Sequence, residues 1–263
     1  IISLISNKIQ GFEVLVRWQH PHKGLVSPGE FIPLAEETGL IIPLGFWVLK
    51  EACLQMYNWQ QQFTGLSQWK ISVNIASKQL ALPNFVAEVE KILAETKLDP
   101  HNLKLEITES SLVEDTQQTI AILKQLKSSG IEFSLDDFGT GYSSLSYLHQ
   151  FPFDTLKIDR SFVNSIGDNI EKLGIVRAIV TLARNLGMDT IAEGIETVNQ
   201  LTRLKALKCE YGQGYYLSKP LDKIVLENLI EADLAKPLKL ESAGYRSLMD
   251  DELAKEQLLF QIE

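Results

Sequence analysis

Residues 103–137 read LKLEITESSLVEDTQQTIAILKQLKSSGIEFSLDD. Leu and Ile fill 103–107 and predict a strand, and 132–136 repeats that character with Phe and Leu. Between them, 116–129 carries apolar residues at helical spacing and stops at Gly130, a residue suited to a helix C-terminus. Strand, helix and strand in quick succession make a parallel α/β unit. The pattern extends in both directions. Further strands are predicted at 1–5, 12–18, 70–75, 155–159, 190–193 and 214–217, and further helices at 31–38, 45–62, 84–97, 171–186, 197–207 and 223–234. Pro83 stands just before 84–97 and Gly187 just after 171–186, as start and stop signals require. About eight strand–helix units in about 235 residues match a (β/α)8 barrel. No linker-like stretch divides the chain before Pro237. We therefore expect a barrel over 1–235 and a C-terminal helical extension over 236–263.

The composition is that of an ordinary globular protein, 45% hydrophobic with 9 Pro and 16 Gly in 263 residues. Its 25 basic and 34 acidic side chains leave a net charge of −9. No block of Lys and Arg stands out, which argues against a duplex nucleic-acid partner held by many phosphate contacts. Cys53 and Cys209 lack metal-ligand or redox spacing; Cys53 lies in an apolar helical pattern and reads as a buried thiol. Two unpaired cysteines fit a reducing compartment. The N-terminus lacks the plan of a signal peptide, and the apolar stretch around 40–49 is too short to span a bilayer. A cytoplasmic protein without direct membrane contact is expected. The chain opens inside a predicted strand, so we expect a piece cut from a longer protein, one that could itself be tethered to a membrane.

Polar residues recur where strands end: Glu13, Asn74, Glu106 with Glu109, Asp136 with Asp137, Lys157 with Asp159, Glu193 with Glu196, and Gln213. One acid at a strand end is plainly explained as solvated or as a helix cap. Several strands ending alike in a barrel are not, because all C-terminal strand ends meet at one mouth. Gathered carboxylates repel one another unless a cation neutralises them. Oxygen donors with one amide, and no Cys or His, suit Mg²⁺ or Mn²⁺ better than Zn²⁺. Lys157 alone would also permit Schiff-base chemistry on a carbonyl substrate, or be a surface lysine with its stem on apolar neighbours.

These residues carry a close resemblance. Gly11-Phe-Glu13-Val14-Leu15-Val-Arg17-Trp18 resembles the signature of the EAL family, with Val14 where the family has Ala. His20-Pro21-His-Lys-Gly24, Pro28-Gly-Glu-Phe31-Ile-Pro33 and Val-Asn74-Ile-Ala continue the pattern. Asp136-Asp137-Phe-Gly139-Thr-Gly141-Tyr-Ser-Ser144-Leu, Lys157-Ile-Asp159, Glu193-Gly-Ile-Glu196-Thr, Gly212-Gln213-Gly214 and Lys219-Pro220 complete it, so that the match covers about residues 1–222. The resemblance implies a modified TIM (β/α)8 barrel with one antiparallel strand. It implies hydrolysis of cyclic di-GMP to linear pGpG with two Mg²⁺ or Mn²⁺ ions. By the same analogy Glu13, Asn74, Glu106 and Asp136 hold the first ion; Asp136 bridges to the second, with Asp137 and Glu193. Two ions a few ångströms apart can share and activate a water.

Lys157 would touch that water, as an ammonium that orients it or as a neutral base; the sequence leaves both open. Glu109 resembles the family residue that anchors the loop after Asp137. Arg17 would meet a substrate phosphate, Leu15 would pack near the substrate and Gln213 would reach a guanine edge or a site water. Asp159 and Glu196 would orient the groups that touch the ions. The resemblance also implies a homodimer and an upstream sensory or GGDEF-type domain. The competing reading keeps the fold and loses the chemistry: a cyclic di-GMP receptor or regulatory module. Val14 adds two methyl groups beside Glu13, which lowers activity if they displace it. The chain also begins after the Gln-Pro pair that precedes the first strand in the family, so weaker substrate binding is expected.

Overall fold

The computed structural model of the protein describes residues 1–112, 116–139, 148–166 and 170–235. The expected C-terminal extension and residues 140–147 of the loop after Asp137 lie outside these. Eight strands form one sheet: β1 (Ile2–Ser3), β2 (Gly11–Glu13), β5 (Lys70–Asn74), β6 (Leu103–Thr108), β7 (Glu132–Phe138), β8 (Thr155–Ile158), β9 (Asp189–Ala192) and β10 (Tyr211–Gly212). Their order is β1-β10-β9-β8-β7-β6-β5-β2. All neighbours are parallel except β1, which runs antiparallel to β10. β1 closes onto the stretch entering β2 through the Ile2–Ile9 bridge and through backbone hydrogen bonds from Ile1 to the Gly11 carbonyl at 2.9 Å, from Gln10 to Ile1 at 3.0 Å and from Ser3 to Lys8 at 2.9 Å. This is the expected modified barrel with one antiparallel strand, nearly closed.

The helices are α1 (Pro28–Thr38), α2 (Ile41–Gln62), α3 (Ser77–Leu80), α4 (Phe85–Thr96), α5 (Thr116–Ser128), α6 (Arg160–Val163), α7 (Ile170–Asn185), α8 (Val198–Ala206) and α9 (Lys223–Ala235). Helix α2 begins four residues before the predicted start. It takes Pro43 into its first turn, where the missing N–H would have had no intrahelical partner anyway. Thr197 caps α8 by accepting from the Gln200 amide at 3.2 Å. None of the described helices is long and apolar enough to cross a membrane.

Side chains alternate across each strand. Ile71, Val73, Leu103, Leu105, Ile107, Phe133, Leu135, Leu156 and Ile158 face out and are buried under the helices, against Met56, Phe85, Val89, Leu123 and Val180 among others. The core is thus the layer between sheet and helices. The inward set is polar: Lys70, Ser72 and Asn74; Lys104, Glu106 and Thr108; Glu132, Ser134 and Asp136; Thr155 and Lys157. Register agrees, since Ser72 is paired with Lys104, Asn74 with Glu106, and Glu106 with Ser134. Barrels of this class are more often filled by branched apolar residues. Cys53 and Cys209 are buried free thiols, each pushed up to about 12 by burial, and therefore unreactive.

Two predicted strands are corrected. The run 12–18 is not one strand. The ladder of β2 with β5 ends when the Val14 amide donates to Ser72 at 2.9 Å. Val14 and Val16 then pack beside Trp47 and Val48 of α2, so their apolar character reflects helix contact rather than strand pairing. The chain turns away into a hairpin of β3 (Trp18–His20) and β4 (Gly24–Val26). The run 214–217 is a turn, its strand lying earlier at β10. Gly214 there has φ 149, and a Cβ on it would lie 2.1 Å from the Ile195 backbone nitrogen, so only glycine permits this approach.

Candidate active site

The C-terminal ends of the parallel strands place their polar residues around Lys157. This lysine is 1% exposed. Its Nζ lies 2.5 Å from Glu106 Oε2, 2.7 Å from Glu193 Oε1, 3.2 Å from Asp136 Oδ2 and 3.5 Å from Glu13 Oε2. Asn74 donates to Glu13 Oε1 at 3.0 Å. Gln213 donates to Glu13 Oε2 at 2.7 Å and to Glu193 Oε1 at 3.1 Å, so one amide links the end of β2 to the segment after β9. Glu13, Asn74, Glu106, Asp136, Lys157, Glu193 and Gln213 therefore meet in one constellation.

The electrostatics follow from one cation among four buried or half-buried acids. Burial alone would lower Lys157, but Glu106, Glu13, Glu193 and Asp136 outweigh it and hold the amine charged, well above the ordinary lysine range. Burial raises Glu13, yet Lys157 and the hydrogen bonds from Gln213 and Asn74 keep it below the usual carboxylate range. Burial, opposed by Lys157 and aided by Glu13 and Asp136, pushes Glu106 up to about 8. Glu193 is pushed up to about 7 by burial, again against Lys157 and with Asp136 and Glu13 adding repulsion.

Asp136 and Asp137 both reach the mouth because β7 carries a register shift between Leu135 and Phe138, and Asp137 adopts φ 54. Such a bulge re-aims side chains that simple alternation would send to opposite faces. The Asp137 amide donates to Asp136 Oδ1 at 2.9 Å. Burial, Asp136 and Asp159 raise the Asp137 carboxyl. Buried Glu109 accepts from the Gly139 amide at 2.9 Å, tying the segment after β6 to the end of β7. Asp159 caps α6 by accepting from the Ser161 amide at 2.9 Å.

Beside the carboxylates lies a cavity of about 350 Å³ whose walls include Glu13, Leu15, Glu193, Glu196 and Gln213. A second cavity of about 320 Å³ shares Phe12, Glu13 and Leu15 with it and adds Arg17, Gln55 and Trp59. Among the described residues Arg17 forms no ion pair with the carboxylates; its Nη1 donates to the Val16 carbonyl at 2.9 Å. The motif reading passes over Arg160 and Tyr215 and gives Lys219 no role; all three line the larger cavity. The only sequence signal for Arg160 was its place directly after Asp159.

The donor set suits a hard divalent cation, with carboxylates and one amide and no sulfur or imidazole. Glu106 Oε1 is buried without a protein hydrogen-bond partner. Glu106 and Glu193 lack enough countercharge to stay ionised easily at neutral pH. Among the described residues no three His, Cys, Asp or Glu side chains form a ready-made cation cage; the acids close on the Lys157 ammonium instead. On chemistry the residues fit a divalent ion.

MucR of Pseudomonas aeruginosa, a bifunctional diguanylate cyclase/cyclic di-GMP phosphodiesterase, is 46% identical over 211 residues, which are 80% of this chain and 30% of MucR. The cyclic di-GMP phosphodiesterase NbdA of the same species is 40% identical over 242 residues, 91% of this chain and 31% of NbdA. The chain spans less than a third of the length of these two relatives. A solved MucR phosphodiesterase in complex with c-di-GMP shares the fold at a TM-score of 0.79 and 45% identity, covering 82% of this chain and 87% of that one. The sequence profile of the EAL domain matches residues 1–220. The chain belongs to the EAL domain family.

Proposed function

We propose that the protein is a phosphodiesterase that hydrolyses cyclic di-GMP to linear pGpG with two Mg²⁺ or Mn²⁺ ions. The observation that carries this reading is the convergence of Glu13, Glu106, Asp136 and Glu193 on Lys157 at the barrel mouth, beside a two-lobed cavity. The relatives named as cyclic di-GMP phosphodiesterases support it.

Glu13, Asn74, Glu106 and Asp136 would hold one ion, and Asp136, Asp137 and Glu193 the other. When bound, the ions neutralise phosphate charge and supply an activated water for in-line attack. The chain's own groups do the rest. Lys157, a buried ammonium, orients the attacking water and stabilises charge on the phosphate. Glu109 fixes the chain after β7 through Gly139, so that Asp136 and Asp137 keep their positions. Asp159 secures the end of β8 by capping α6. Leu15 lines both lobes, Gln213 offers an amide to a guanine edge and Arg17 a guanidinium to a phosphate. Glu196, on the wall of the larger lobe, steadies the Glu193 segment.

The departure at Val14 bears on the receptor alternative. Glu13 faces into the barrel, so its neighbour faces out, and Val14 packs toward α2. The extra methyl groups are thus directed away from the carboxylate, which favours an active enzyme. In the same reading residues 1–235 form the catalytic barrel and 236–263 an extension, and the chain acts in the cytoplasm as a homodimer fused to a sensory or GGDEF-type domain. The test is chromatography of cyclic di-GMP after incubation with Mn²⁺. Wild-type chain is expected to yield pGpG and Glu13→Ala to leave the nucleotide intact. Intact nucleotide from both would sink the proposal.

A further inference from the structure

The barrel lumen holds two serines that the chemistry above does not use. Ser72 on β5 and Ser134 on β7 are each 0% exposed, and the hydroxyl of each lacks a protein hydrogen-bond partner. Buried hydroxyls are rarely left so, because each loses its hydrogen bonds to water on folding. Their placement is specific. β5 and β7 flank β6 on either side, and β6 carries Glu106. Ser134 is the register partner of Glu106, and Ser72 sits one inward step below Asn74, its other register partner. Glu106 itself has one oxygen on Lys157 and the other, Oε1, buried without a partner. The described side chains thus leave three buried polar atoms unsatisfied on three adjacent strands of the lumen: two hydroxyls that can donate and a carboxylate oxygen that can accept. An internal water needs two to four such partners.

We propose that an internal water joins Ser72 Oγ, Ser134 Oγ and Glu106 Oε1, and that the two serines are positioning residues for the Glu106 carboxylate. A carboxylate oxygen has two lone pairs, so Oε1 can accept from this water and still face an ion. The two serines brace the acid from both neighbouring strands and set the direction in which it presents its charge. Carboxylates that bind ions are commonly oriented by such outer partners. The proposal rests on the reading of Glu106 as an ion ligand.

The test titrates Mn²⁺ into the whole chain, following free Mn²⁺ by electron paramagnetic resonance, for wild type, Ser72→Ala, Ser134→Ala and Ser134→Thr. Each alanine variant is expected to bind Mn²⁺ about 10-fold more weakly, and Ser134→Thr, which keeps the hydroxyl, to stay close to wild type. A crystal structure with Mn²⁺ is expected to show an ordered water between the two hydroxyls. Alanine variants that bind Mn²⁺ within twofold of wild type would overturn the proposal. So would melting temperatures that rise in both, because removing a hydroxyl that truly lacks a partner relieves a cost. Wild-type chain that takes up no Mn²⁺ would overturn the ion reading itself, a result distinct from equal binding by all forms. Should an alanine variant not fold, Ser72→Cys and Ser134→Cys serve in the same titration.

Discussion

Two buried lysines occupy the same lumen and live in different company. Lys104, near the N-terminal end of β6, donates to Thr155 at 2.8 Å and pairs with Glu132 at 3.4 Å. Lys70 shares Glu132 at 2.7 Å, and Lys127 pairs with Asp154 close by. Asp189 lies among these groups and Arg184 pairs with Glu210 at 3.5 Å, so four cations stand among four acids there. Burial pushes Glu132 up, but Lys70 and Lys104 hold it below the usual carboxylate range. Lys157, at the opposite end, is the one cation among the described residues that pairs with Glu13, Glu106, Asp136 and Glu193. One end of the barrel is electrostatically complete; the other has a deficit of positive charge that an ion can fill. The chemistry of the side chains is the same, and stoichiometry separates a structural network from a reactive one.

Exchanging each lysine for an isosteric apolar residue breaks the comparison most sharply. Lys157→Met is expected to lower cyclic di-GMP turnover by roughly 100- to 10,000-fold, read by product chromatography. Lys104→Met is expected to leave Mn²⁺ affinity near wild type and cost about 2 kcal/mol of stability, since Thr155 loses a charged donor while Glu132 keeps Lys70, read by denaturant unfolding. Equal losses of turnover in both variants would erase the distinction between the ends.

The pH dependence of stability sharpens it next. Glu106 and Glu193 have folded values of about 8 and about 7, above the ordinary 4.5. A carboxyl raised in this way binds its proton more tightly when folded, so its contribution falls as pH rises from about 4.5 through the folded value. Glu132 is lowered, so its contribution is present at neutral pH and is lost as pH falls below the ordinary value. In EDTA the melting temperature is therefore expected to decline between about pH 5 and 8. Saturating Mn²⁺ is expected to flatten that decline and, at 100 times its Kd, to add about 2.7 kcal/mol. A melting temperature indifferent to Mn²⁺ at every pH would contradict the deficit. The smallest effect is expected at Val14→Ala, which removes half-buried methyl groups on the α2 side. It should cost about 1 kcal/mol and leave turnover within about twofold.

The sequence reveals one half of this contrast and hides the other. β5 to β9 are legible because branched and aromatic residues alternate with polar ones, and the strand-end residues Glu13, Asn74, Glu106, Asp136, Lys157 and Glu193 stand out in that pattern. The same alternation contains Lys70, Ser72, Lys104, Glu132 and Ser134, yet nothing local says that this face turns inward, because a solvated sheet face would read alike. The end of β2 was misread since Val14 and Val16 are apolar for contact with α2. β10 was placed late because its two residues carry little signal beside the Gly214 turn. Arg160 was missed because a cation after a strand is ordinarily a surface residue. Arg17 is legible in the motif, but its place on the second cavity depends on the chain leaving the barrel after Glu13, which no motif records.

The fastening of β1 has a mechanical consequence. Backbone hydrogen bonds from Ile1 to Gly11, from Gln10 to Ile1 and from Ser3 to Lys8 stitch the antiparallel strand to the stretch entering β2. Above that stitching, Gln213 at the end of β10 holds Glu13 by a single side-chain amide. A push on β10 would thus reach Glu13 directly through that amide, whereas Asp136 and Lys157 would feel it only through the strands between.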